Sequence, residues 1–195
     1  MKLVLILILV AVSLHAETTV RYWSGGHEKA DLAQWAMEAW ARASDGLMRV
    51  ARVDRPEDAE IRFRWVNPRR PGLYGQSLTT VRDGKPISEV VINPSLESLG
   101  GDMLARSLQD RLFGDVILFL TCVHEAGHAL GPVHTREYED IMYSFEFGGD
   151  FAAYFDRYRK KLQSMDDMKK QSPFSANDLR QIKEAAALRT QNEKR

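Results

Sequence analysis

Three of the five histidines of this chain, His124, His128 and His134, fall within eleven residues, and Glu125 stands beside the first of them. An α-helix advances about 100° per residue, so His128 lies about 40° round from His124 and one turn along, and both imidazoles can reach one metal ion. Glu125 lies on the flank of the same face. From there it can hydrogen-bond a metal-bound water without ligating, which is the arrangement that metal-assisted hydrolysis requires. A further helical turn would carry the chain past the ion. Gly131 can take a left-handed C-cap conformation and Pro132 cannot continue a helix, so the chain turns there and brings His134 back beneath the metal. Three imidazoles and one water form a four-coordinate site with an open position, the catalytic form of zinc. The competing reading, a chance cluster, would bury three unpaired imidazoles beside Val123 at considerable cost.

The elements around this cluster are legible from periodicity. Val116 to Val123 is apolar on every side and runs into His124, which predicts a core helix carrying the first two ligands. A strand is expected at Thr18 to Trp23. A helix follows from Asp31, with Leu32, Trp35, Ala36, Ala39, Trp40 and Ala43 on one face and Asp45-Gly46 at its end. Leu47 to Val53 and Ala59 to Val66 read as strands around a turn at Pro56-Glu57-Asp58, with Ile61, Phe63 and Trp65 facing one way. Asn67 to Gly72 reads as loop. Tyr74 to Val81 and Ile87 to Ile92 form a hairpin about Arg82-Asp83-Gly84-Lys85-Pro86, and a short helix starts near Asp102 after Gly100-Gly101. A loop from Gly131 to about Gly149 precedes a charged helical segment at 151–169, whose basic residues Arg157, Arg159, Lys160, Lys161, Lys169 and Lys170 read as a solvated face. Ser175-Ala176-Asn177-Asp178 is a capping box opening a last helix to about Thr190.

Composition excludes several function classes. With 27 basic and 27 acidic side chains in 195 residues and 44% apolar content, the chain has no electrostatic pull toward nucleic acid or membrane surfaces and is too apolar to be disordered. One cysteine, Cys122, permits no internal disulfide and no CxxC site. It precedes His124 by two positions, about 200° away on the helix, and so points into the core. Lys2 followed by the apolar run Leu3 to Leu14 and Leu14-His15-Ala16 reads as a secretory signal peptide at 1–16, since the run falls short of the roughly 20 residues that span a bilayer. Residues 17–195 then form a single domain, expected to be secreted, monomeric and free of a membrane anchor.

The eleven residues from His124 to His134 resemble the extended zinc signature of the metzincin peptidases, and Asp140-Ile141-Met142-Tyr143 looks like their Met-turn, with Met142 eight residues after His134. Within that group the chain is most similar to the matrixins, the matrix-metalloproteinase-like branch. Thr135 stands where they carry a small hydroxyl residue, and Tyr143 follows the methionine as it does there. Asp58 to Phe63, Ala36 to Trp40 and Phe174 to Leu179 are similar to a matrixin strand, first helix and last helix. The resemblance implies an α+β fold: a twisted, mixed, mostly parallel five-stranded sheet packed on an N-terminal helix and the active-site helix, with a C-terminal helix. It also implies a zinc endopeptidase acting on protein or peptide substrates, in which His124, His128 and His134 hold the metal, Glu125 is the general base, and an extended substrate pairs with an edge of the 74–92 hairpin. Tyr143 is open to two readings, substrate contact through its backbone or packing.

The chain also departs from that family. Ser144 replaces the usual proline after Met-Tyr, which bears on the wall of the main specificity pocket. Residues 143–172 are longer than in matrixins, as an insertion or specificity loop with a helix. The spacing of a second, structural zinc is missing, so one catalytic zinc is expected; calcium ligands cannot be read from the sequence. Only a few residues separate the expected cleavage point from the first strand, so a propeptide cysteine on the zinc is not expected, and Cys122 faces away. His27 reads as an ordinary turn residue, and the four tryptophans as core. Two rival functions use the same residues: a secreted zinc-binding interaction protein without turnover, and a zinc amidase acting on small or cell-wall peptides.

Overall fold

The computed structural model describes residues 17–66 and 74–192. The expected signal peptide and the 67–72 loop lie outside the described residues. The first strand, β1 (Thr18–Ser24), alternates buried Thr18, Val20, Tyr22 and Ser24 with outward Thr19 and Arg21, a period of two that gives the sheet one covered face. Helix α1 (Ala30–Ala43) buries its apolar stripe, Leu32, Trp35, Ala36, Ala39 and Trp40 included, and ends where Asp45 and Gly46 take φ of 58° and 81°. Strands β2 (Met48–Arg52) and β3 (Ile61–Trp65) follow, separated by a single 3₁₀ turn at Pro56–Asp58.

The hairpin is tighter than its sequence suggests. Strands β4 (Gly75–Arg82) and β5 (Lys85–Ile92) are joined by only Asp83 and Gly84, both at positive φ, the two-residue turn whose twist matches that of the flanking strands. Arg82, Lys85 and Pro86, expected in the turn, therefore belong to the ladder.

The sheet order is β2-β1-β3-β5-β4, parallel throughout except for antiparallel β4 at the edge, so the fold is the mixed, mostly parallel five-stranded α+β arrangement. Helix α2 (Gly101–Gln109) leads into α3 (Arg111–Leu130), which Asp110 caps through Phe113 N. Fifteen of the twenty α3 residues are buried, Cys122 among them, so α3 is the spine of the core. It runs beneath β4 and β5 while α1 lies beneath β1 and β2, and the sheet's opposite face is polar, with Glu89 bridging Arg62 and Arg64 at 3.2 and 2.7 Å.

The 151–169 segment is not one helix. Helix α4 (Phe151–Arg159) stops, and a 3₁₀ turn spans Met165–Lys169. The break lets Leu162 enter the core at 1% exposure, and Ser164 and Asp167 cap the new turn reciprocally. Nor is its basic run wholly solvated. Arg157 donates to the Tyr138 carbonyl at 2.8 Å and lies 4.9 Å from the Tyr154 ring centroid, while Arg159 pairs with Asp110 at 2.8 Å. Lys160, Lys161 and Lys170 remain exposed. Of the tryptophans, Trp35 and Trp40 are core, whereas Trp23 and Trp65 are half-buried. Trp65 stacks on His27 at 4.8 Å, which holds that histidine in its turn. Helix α5 (Ala176–Asn192) closes the domain against α1, α3 and β1.

Candidate metal centre

Helix α3 carries His124 and His128 one turn apart. It ends at Gly131, whose φ of 128° is open to glycine and whose N–H still reaches the Gly127 carbonyl at 2.9 Å. The returning chain is then pinned twice. Gln181 of α5 accepts from Val133 N at 2.8 Å and donates to the Val133 carbonyl at 3.3 Å. Thr135 N donates to the Met142 carbonyl at 2.9 Å, and Ser144 N donates to the Thr135 carbonyl at 3.3 Å. These bonds deliver His134 to the other two rings. Its Nε2 lies 3.2 Å from His124 Nε2 and 3.1 Å from His128 Nε2, and all three ligand atoms fall within 4.8 Å of one another.

Those separations can be tested against an ion. Zinc–imidazole bonds of about 2.0–2.1 Å at tetrahedral angles put neighbouring nitrogens about 3.3–3.4 Å apart, close to the 3.2 and 3.1 Å that His134 makes with the other two rings. Protonation favours the same conclusion. His124 is driven down to about 4, chiefly by burial, with the neighbouring imidazoles adding to the effect, and burial also lowers His128. Both rings are therefore neutral, as metal ligands must be. His124 Nδ1 bonds the Ile141 carbonyl at 2.7 Å, so that nitrogen carries the proton and Nε2 keeps a lone pair turned toward His134. His134 Nε2 can donate its one proton to only one of these neighbours, whereas a cation set among the three nitrogens would engage them all. An all-nitrogen donor set fits zinc and is a poor match for calcium, which takes oxygen ligands.

Glu125 is buried, at 7% exposure, and burial pushes its carboxyl up to about 7. It can lie there because β4 begins with Gly75. A Cβ at that position would come within 2.7 Å of Glu125 Oε1 and 2.6 Å of Thr121 Cγ2. The edge strand thus starts in contact with the carboxylate. A cavity of about 360 Å³ opens beside it, with His124, Glu125 and His134 in its lining together with Leu120, Tyr154 and Phe155.

Met142 is fully buried under the site, where Gly127 makes room for its sulfur: a Cβ on Gly127 would lie 2.5 Å from Sδ. The turn holding Met142 is fixed from α5. Asp178, 0% exposed, accepts from Ile141 N at 2.9 Å and Met142 N at 3.3 Å as well as from Ser175 N at 2.9 Å. Asp140 accepts from Ser175 Oγ and Asn177 Nδ2, both at 2.6 Å. The capping box is present, since Ser175 Oγ also accepts from Asp178 N at 3.1 Å, but the reach of Asp178 into the Met142 turn had no local signal in the sequence. Tyr143 lines the cavity while its hydroxyl donates to the Gly148 carbonyl at 2.8 Å, so packing and cavity lining coincide in one residue. Ser144 also lines the cavity, and its N–H, which a proline would lack, is engaged with Thr135. Helix α4 supplies Tyr154 and Phe155 to the wall, a contribution that the charged reading of 151–169 missed.

Compared with known proteins, the chain matches no family model and no curated protein.

Proposed function

We propose that the chain is a secreted, monomeric, zinc-dependent endopeptidase of the matrixin-like metzincin kind. The observation that carries this reading is the convergence of His124, His128 and His134 on one point, with the Glu125 carboxyl beside them at the mouth of a cavity. The three imidazoles would hold zinc, which when bound supplies a Lewis acid that activates water and polarises a peptide carbonyl. Glu125 takes the proton released by the attacking water and passes it to the leaving amine nitrogen. His124 keeps its tautomer through the Ile141 carbonyl, and Met142 packs against Gly127, between the two helical histidines in the chain. The unpaired side of β4 offers backbone groups to an extended peptide, which would lie across Gly75 toward the Tyr143-Ser144 segment. Export rests on the apolar run of residues 3–14, and protein or peptide rather than nucleic acid is the expected partner, given the balanced charge.

The test is Glu125→Gln in the zinc-loaded protein, incubated with an unfolded protein substrate. The wild type should make internal cuts that a chelator stops. The variant should keep its zinc by elemental analysis and lose cleavage by about 10²–10⁴-fold. Zinc binding without cuts by the wild type would favour the interaction-protein reading, and unchanged cleavage by the variant would remove Glu125 from the mechanism.

A further inference from the structure

The cavity beside the histidines is walled by rings whose polar ends are nearly all committed. Tyr143 donates to Gly148 O at 2.8 Å, Tyr154 donates to the carbonyls of Asp140 and Ile141 at 2.9 and 3.2 Å, and neighbouring Tyr138 donates to Asp150 O. Thr121 in the same wall gives its proton to the Ile117 carbonyl at 2.8 Å. Tyr74 differs. It lines the cavity from the residue just before β4, and among the described residues its hydroxyl has no hydrogen-bond partner. Nor is that hydroxyl sealed away, because the fully buried side-chain polar atoms that lack a partner are Arg62 Nε, Ser77 Oγ and Thr135 Oγ1. It is therefore a free donor and acceptor on a residue that lines an aromatic cavity.

Its ring is held in place. Tyr74 meets Phe151 of α4 edge-on at 5.4 Å and makes no ring contact with any of the three imidazoles, so it belongs to the cavity wall rather than to the metal. Burial, and then the Glu125 charge, push its phenol up to about 12, and Tyr74 in turn acts on Tyr154; its oxygen therefore lies in electrostatic reach of both. Pockets of this kind bind through apolar area and discriminate through a few placed polar groups.

On the endopeptidase reading above, we propose that Tyr74 is a specificity-determining residue. Its hydroxyl bonds the polar tip of the substrate side chain seated in this cavity, so tyrosine is taken in preference to phenylalanine, and glutamine in preference to methionine. Both favoured residues have an apolar body for the aromatic wall and a polar end for Tyr74. The hydroxyl is open to water, so the discrimination is that of one hydrogen bond, about tenfold, and not the far larger factor of a sealed polar site.

The experiment compares the zinc-loaded wild type with Tyr74→Phe, which keeps the ring against Phe151. The substrates are peptides that differ only in Tyr against Phe, or Gln against Met, on either side of the cut, with product masses fixing the site of cleavage. The wild type should favour Tyr over Phe by about tenfold in kcat/KM, and the variant should bring that ratio close to one while cleaving the Phe peptide within about twofold of the wild-type rate. A ratio unchanged by the substitution overturns the assignment, as does an equal loss on all four peptides, which would place Tyr74 on the reacting atoms instead. If the wild type cuts none of the peptides, the endopeptidase reading itself fails.

Discussion

Asp178→Asn is the substitution that most directly tests how α5 supports the candidate metal centre. In the wild type both carboxylate oxygens accept: Oδ2 from Ile141 N and Ser175 N at 2.9 Å each, and Oδ1 from Met142 N at 3.3 Å. An asparagine has one acceptor oxygen. Its better orientation keeps that oxygen where Oδ2 was and turns the NH₂ toward Met142 N, donor facing donor. One buried N–H then lacks an acceptor, at about 1–3 kcal/mol, and two bonds change from charge-assisted to neutral, at about 1 kcal/mol each. Against this, asparagine escapes the desolvation and the nearby Asp140 charge that hold the Asp178 carboxyl above its ordinary range. The net loss should be about 2–3 kcal/mol, or about 5–10 °C in Tm for a domain of this size. The consequence for the site is a slack 141–142 turn. His124 is oriented by the Ile141 carbonyl, so zinc affinity should fall by about 10–100-fold. Urea unfolding of the metal-free protein reads the first number, and competition with a chromophoric chelator reads the second. A variant within about 0.5 kcal/mol of wild type and with undiminished zinc affinity would refute the claim that Asp178 braces the centre.

Two further outcomes follow from the same geometry. Gly75→Ala places a Cβ 2.7 Å from Glu125 Oε1 and 2.6 Å from Thr121 Cγ2, so the carboxylate must move; peptide cleavage should drop by about 10²-fold with zinc content unchanged, and a fully active variant would show that Glu125 needs no fixed position. In the metal-free protein two buried groups oppose each other with pH. His124 falls from an ordinary 6.5 to about 4 on folding, so the unfolded chain binds more protons between those values and stability declines as pH drops through that window. Glu125 rises from 4.5 to about 7, so the folded chain binds more protons and stability declines as pH climbs from 4.5 to 7. Each is worth about 3 kcal/mol at most, and over pH 4.5–6.5 they offset one another. Glu125→Gln removes the opposing group while the lowered His128 adds to the effect of His124 in both proteins, so the metal-free variant should lose stability on acidification more steeply than wild type; parallel urea midpoints for the two proteins across that range would disprove the assignment.

The features that depend on neighbours in the chain are legible in the sequence. The apolar run into His124 had to be a core helix, and the four-residue offset between His124 and His128 put two ligands on one face. Gly131 and Pro132 had to turn the chain, and Asp83-Gly84 had to close a hairpin, although the turn proved two residues long because both residues accept positive φ. The 151–169 segment shows the limit. Its charges suggested a solvated helix, yet Tyr154, Phe155, Tyr158 and Leu162 turn inward, and the helix breaks to allow it.

The sequence alone singled out the candidate donor set, because ligand type and helical spacing are local properties. Only the tertiary structure decided that β4 is the edge strand above Glu125, that Asp178 holds the Met142 turn, and that Tyr74 and α4 wall the cavity. Each of these is a contact between segments far apart in the chain, and they meet only because burying the faces of α1 and α3 against one sheet leaves a single way for those segments to come together.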